Sequence, residues 1–182
     1  MSRPLRVIDP KGITHVVHRG DHREKVFWDD RDYRRFIAFA AEAQKSFSFC
    51  LFHYCLMPNH VHFLICPNEC GLSAAMQTLF VRYAKYYNAR YERSGHVWQE
   101  RFRTTPVLTD RHLIACGAYI EMNPVRAKLV RDPLSWTYSS IHHYVHAVDD
   151  PLVTRNMFYG ELGSNDEERA AAYVEFLKDL YC

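Results

Sequence analysis

The sequence predicts an α+β fold: a ferredoxin-like split β-α-β antiparallel sheet with two helices on one face, an additional third helix and a C-terminal helical tail. Three observations lead there. Strand-like and helix-like stretches follow one another in the order β-α-β-β-α-β, which is the split β-α-β arrangement. The two middle strand stretches are joined by Pro58-Asn59, a tight-turn dipeptide that makes them a hairpin. A further helical stretch follows the fourth strand and has only the opposite sheet face to cover.

Each element has its own signature. GITHVVHRG (12–20) reads as a short strand stopped by glycine. WDDRDYRRFIAFAAEAQKSF (28–47) reads as a helix with Asp29 or Asp30 as N-cap and an apolar face of Phe36, Ile37, Phe39 and Ala40. SFCLFHYCLM (48–57) and HVHFLICP (60–67) are the hairpin arms. Residues 71–94 form a long helix for which Gly95 is the stop signal, and 101–109 a strand that Pro106 sends to a sheet edge. DRHLIACGAYIEMNPV (110–125) is a helix capped by Thr109 or Asp110 and broken at Asn123-Pro124. Residues 131–160 read as loop-rich. Residues 165–181 read as an acidic amphipathic helix with Tyr173, Phe176, Leu177 and Leu180 on one side. The expected division is one domain over 1–148 and an acidic tail over 149–182.

Composition narrows the class. A hydrophobic content of 48% in 182 residues builds a core without disulfides. The six cysteines lie mostly in apolar runs, without paired spacing or a secretory leader, so they read as reduced thiols. No run approaches the roughly 18 apolar residues of a membrane span, and a cytoplasmic location, with no membrane partner, is expected. The net charge of +2 hides an asymmetry: residues 149–182 carry eight acids and three bases, or −5, which leaves +7 on residues 1–148. Between Phe80 and Arg103 six bases face two acids, interleaved with aromatic residues. Basic side chains and aromatic faces suit nucleic acid. A solvated basic helix face over an aromatic core stripe gives the same pattern.

Two histidines in an apolar strand stand out. Side chains alternate along a strand, so His60 and His62 share one face and Val61, Phe63 and Ile65 the other. The apolar trio belongs under the helices, which leaves the histidines on the uncovered face with Cα atoms about 6.6 Å apart. Such a pair can hold a divalent cation or simply be hydrogen-bonded. A zinc site with Cys66 and Cys70 fails on reach, since Cys66 lies roughly 13 Å along the strand from His62. Downstream, Tyr119 and Asn123 are four apart and project from one face of the third helix. An amide oxygen suits magnesium or manganese beside two imidazoles, and a tyrosine there has a nucleophile's position available. Spacing alone favours the plainer reading of Tyr119 as a core tyrosine, one of twelve.

His60-Val61-His62 after LMPN, GHVWQERFRTTPV (95–107) and YIEMNPVRAKLV (119–130) together closely resemble the single-tyrosine HUH transposases, best of all their REP-associated branch in bacteria. The resemblance covers roughly residues 10–145. It implies a metal-dependent DNA nickase and strand transferase working through a 5′-phosphotyrosine, with Mg2+ or Mn2+ as cofactor. It implies Tyr119 as nucleophile on a catalytic third helix, His60 and His62 as metal ligands, and Asn123 as third ligand, where relatives often have glutamine. Glu121 projects about 200° away from Tyr119 at 3.6 residues per turn. The implied partner is single-stranded or hairpin DNA of the REP type, met by a monomer or homodimer at the nucleoid. Arg82, Lys85, Arg101 and Arg103 are the phosphate-contact candidates and Trp98 a candidate stacking platform. A hairpin-binding protein that has lost turnover is the other reading, although it has no need of His60, His62 and Tyr119 together. The acidic tail is expected to dock near the DNA path.

Overall fold

The computed structural model describes residues 12–68, 71–155 and 157–181. Four strands form one antiparallel sheet: β1 (Thr14–Arg19), β2 (Cys50–Met57), β3 (His60–Cys66) and β4 (Arg103–Pro106). Their order across the sheet is β2-β3-β1-β4, as the split β-α-β topology requires, and Pro106 sits on an edge strand. Helices α1 (Asp30–Phe47) and α2 (Leu72–Arg90) cover one face. Helix α3 (Asp110–Glu121) packs on β2 and β3 from the other.

The alternation in β3 sorts its side chains as expected. Val61, Phe63 and Ile65 enter the main core with Phe36, Leu79 and Tyr83 of α1 and α2. Leu64 joins a second, smaller core with Leu113, Cys116 and Ile120 of α3. The N-caps of α1 and α3 are built from side chains: Asp29 accepts from the Asp32 N–H, and Thr109 from the His112 N–H.

Three expectations need correction. Helix α2 ends at Arg90, not at the residue before Gly95. Glu92 adopts a left-handed φ of +50° and the Arg93 N–H donates to the Asn88 carbonyl, a left-handed cap made without glycine. The break expected at Asn123-Pro124 falls one residue earlier, at Met122, and the chain resumes as the short α4 (Asn123–Arg126) with Pro124 in its first turn. The stretch expected to be loop also contains α5 (Ile141–His146) and the start-to-end turn α6 (Met157–Gly160).

The tail helix, α7 (Asp166–Tyr181), packs on α5. Tyr173 and Leu177 are buried with Ala118 of α3, with Met122 just after it, and with Ile141 and Tyr144 of α5. The tail therefore docks on the α3 flank carrying Ala118, next to Met122, and the side chain of Leu180 lies outside the described residues. The expected boundary at 148/149 cuts through packed structure: Leu152 is 2% exposed in the main core, and the Thr154 N–H donates to the Leu51 carbonyl. Cys70 and Cys182 lie outside the described residues. Among the described residues no helix is long and apolar enough to cross a membrane.

Candidate active site

The sheet face opposite α1 and α2 is only partly covered by α3, and a cleft of about 290 Å3 opens beside it. Its walls include His15 and Arg19 of β1, His62 of β3, Arg101 and Arg103 at the start of β4, and Tyr119 of α3. Strand register assembles the floor. His62 is paired across the ladder with Val17, and Val17 with Arg103, so alternate residues of three adjacent strands point into one space.

Tyr119 is half-buried, its ring centroid 6.1 Å from that of His62 and 6.1 Å from that of His15. Arg126 of α4, two turns further on, places its guanidinium 4.9 Å from the Tyr119 ring centroid. What holds the nucleophile candidate is the opposite flank of its own helix. Glu121 is fully buried; one oxygen accepts from Ser140 Oγ at 2.6 Å and lies 2.9 Å from His53 Nδ1, and the other accepts from the Tyr173 hydroxyl at 2.7 Å. Burial and the adjacent Glu121 push the Tyr173 phenol well above its ordinary value, so it remains a donor. Gly117 permits this approach: a Cβ there would stand 2.6 Å from the His53 ring. Glu121 thus faces away from the cleft, as helical spacing required.

Each of the two histidines is held in a defined orientation. His60 Nδ1 lies 2.6 Å from Asn59 Oδ1, and Asn59 Nδ2 donates to the Arg23 carbonyl, which fixes the orientation of the amide. His60 therefore donates from Nδ1 and keeps its lone pair on Nε2. The His60 and His62 ring centroids are 4.8 Å apart. His62 Nδ1 lies 2.9 Å from His15 Nε2, and His62 Nε2 is buried with no hydrogen-bond partner among the described residues. Burial lowers all three imidazoles: His60 to about 4, helped by Arg19; His15 to about 4, helped by His112; His62 well below its ordinary value, helped by His60, His15 and Arg19. They are neutral near pH 7, the form that ligates a cation. An unpartnered imidazole nitrogen beside a second one fits a divalent ion. Among the described residues no group of three His, Cys, Asp or Glu side chains forms a metal cage, so further donors to such an ion would be other oxygens.

The remaining candidates are distributed unevenly. Asn123 is buried, and its Nδ2 donates to the Tyr119 and Ile120 carbonyls, capping the last turn of α3; only its Oδ1 is left to ligate. Arg101 and Arg103 are exposed at the cleft. Arg82 and Lys85 lie on α2, on the other side of the sheet, and Arg82 already pairs with Glu42 and sits 4.6 Å from the Phe39 ring. Trp98 is 8% exposed, stacked on His18 with centroids 4.6 Å apart, and donates from its indole to the Phe80 carbonyl. Trp98 lines a separate cleft of about 770 Å3 with Phe80 and Val81, and most of its surface is buried there. Sequence reasoning missed His15 and Arg126. The signal for His15 was alternation in β1, which puts it on one face with Val17 and Arg19; that for Arg126 was its spacing of seven, two helical turns, from Tyr119.

A family model described as "Transposase IS200 like" matches residues 10–123, which run from the start of the sheet through both histidines and Tyr119 to Asn123. The chain belongs to the IS200-like transposase family. Membership makes this a transposase-type protein that acts on DNA. The fold agrees: the structure of a REP-associated tyrosine transposase bound to a REP hairpin superposes with a TM-score of 0.67 at 17% identity, covering 86% of this chain and 93% of that one. A putative transposase from Deinococcus radiodurans R1 gives a TM-score of 0.46 at 15% identity, over 66% of this chain and 96% of that one. Comparison with curated proteins finds no match.

Proposed function

We propose that this IS200-like protein is a divalent-metal-dependent endonuclease and strand transferase that cuts single-stranded DNA at or beside a REP-type hairpin through a 5′-phosphotyrosine on Tyr119. The observation that carries the reading is the meeting of Tyr119, His62 and three arginines (Arg19, Arg101 and Arg103) in one cleft. The hairpin partner is carried over from the REP-associated relative of the same fold, which was solved with one.

His60 and His62 would hold the ion through Nε2, with Asn123 Oδ1 as the proposed third protein donor. A bound Mg2+ or Mn2+ ion supplies charge neutralisation at the scissile phosphate. The chain's own groups do the rest. Tyr119 Oη attacks the phosphorus, an Oη–P bond forms, and the bond from phosphorus to the 3′ oxygen breaks. The phenolic proton passes to solvent and the leaving oxygen takes one up, giving a 3′-hydroxyl. Arg126, close to the ring, favours the charge that builds on Oη during attack. The phosphodiester energy stays in the covalent link, so a second 3′-hydroxyl can attack it and release Tyr119 with a joined strand.

Arg101 and Arg103 are the proposed phosphate contacts for the strand in the cleft. Arg82 and Lys85 would meet only a hairpin arm that reaches round to the helical layer. The protein would work in the cytoplasm at the nucleoid, as a monomer or homodimer. The test is nicking of a labelled hairpin oligonucleotide with single-stranded flanks. Cleavage with Mg2+ or Mn2+ that stops on chelation supports the enzyme. Tight hairpin binding with no cleavage in either metal would leave the binding-only reading instead.

A further inference from the structure

We propose that His15 is a positioning residue for His62: its Nε2 accepts a hydrogen bond from His62 Nδ1–H and so holds the His62 lone pair on Nε2, where a cation can take it. This rests on the metal reading of the cleft and assigns a role to a residue outside the ligand set.

The geometry points one way. The two nitrogens are 2.9 Å apart, the ring centroids are 5.2 Å apart and the planes differ by 18°, so the rings face each other edge to edge, nearly in one plane, as an in-plane N–H···N hydrogen bond requires. One proton lies between two neutral imidazoles, and two arrangements are conceivable. If His15 donated, His62 would carry its own proton on Nε2, a buried N–H with no acceptor. Orphaned buried N–H groups are the rarer and costlier kind of unsatisfied atom. If His62 donates, the orphan is a lone pair, which is what a cation needs. His15 is half-buried at the cleft wall, so its own Nδ1–H can be satisfied by water. His60 is held in the same tautomer by Asn59, and the pair would then present two Nε2 lone pairs. A hydrogen bond from the non-ligating nitrogen commonly sets the tautomer and ring orientation of a ligating histidine, and its loss costs about 10–100-fold in metal affinity.

The first measurement needs neither metal nor variant: long-range 1H–15N correlation spectra of the metal-free full chain at neutral pH. His62 is expected as the Nδ1–H tautomer, with Nε2 unprotonated; a spectrum showing the Nε2–H tautomer overturns the proposal. The second uses Mn2+ affinity by calorimetry. His15→Phe keeps the ring and removes the acceptor, and should weaken Mn2+ binding by about 10–100-fold while moving His62 to the Nε2–H form. His15→Gln, whose amide oxygen can accept in place of Nε2, should restore most of the affinity. A folded His15→Phe protein with wild-type tautomer and affinity contradicts the role. Failure of the metal reading has a separate signature: His62→Ala would then bind Mn2+ as wild type does, whatever the His62 tautomer.

Discussion

Tyr119 and Glu121 are two residues apart on α3 and face opposite ways: Tyr119 lines the cleft, while Glu121 is fully buried against His53, Ser140 and Tyr173. The helix that presents the proposed nucleophile is therefore anchored by Glu121 on its back, and part of that anchor comes from the tail helix α7.

Glu121→Ala should be severely destabilising. It leaves His53 Nδ1 and the Tyr173 hydroxyl without their buried partner, while Ser140 Oγ keeps the Tyr54 carbonyl, and each orphaned buried polar group costs about 1–3 kcal/mol. Tyr173→Phe removes a single hydrogen bond to a carboxylate and should cost about 1.5–3 kcal/mol. Urea denaturation with unchanged slope reads both. A Glu121→Ala protein as stable as wild type would show that the network does not hold α3.

Salt dependence of hairpin binding separates the two groups of basic residues. Arg101→Ala and Arg103→Ala should each flatten the plot of log K against log salt by about 0.7, the value per phosphate contact on a single strand. Arg82→Ala and Lys85→Ala should change the slope less, since both lie on the helical layer and Arg82 already pairs with Glu42. The reverse ranking would move the strand path to α2.

Much of this site could be read before any coordinates. The hairpin, the alternation that separates His60 and His62 from Val61, Phe63 and Ile65, and the helix carrying Tyr119 follow from period and turn chemistry alone. Layer assignment could not be read in the same way. The run from Phe80 to Arg103 mixes bases and aromatics, yet folding sends Arg82 to the outer face of α2, Trp98 into the core and Arg103 to the cleft. His15 was hidden because its meaning depends on β1 lying beside β3, a tertiary fact. Helix α5 escaped notice because six residues rich in histidine carry too little periodicity, and packing of Ile141 and Tyr144 against α3 and α7 supplies what propensity lacks.

The lowered histidines predict an acid-sensitive fold for the metal-free protein. Between the ordinary imidazole value of 6.5 and about 4, the unfolded chain binds protons that His15 and His60 in the fold refuse, and the lowered His62 acts in the same direction. Their contribution to stability is fully present above pH 6.5 and is lost as pH falls through that window. Melting temperature in the presence of a chelator should drop across it, and His60→Asn should make the drop shallower. A flat profile from pH 6.5 to 4 would mean the three rings protonate in place.

The central claim is tested most directly by locating the covalent bond to DNA. The protein is incubated with a hairpin oligonucleotide and Mg2+ or Mn2+, the complex is digested, and the modified peptide is sequenced by mass spectrometry. The expected result is a 5′-phosphate on Tyr119, with a 3′-hydroxyl on the released strand, and no adduct from Tyr119→Phe although hairpin binding is retained. Cleavage by Tyr119→Phe with the adduct on another tyrosine, or cleavage by wild type with no adduct, would contradict it.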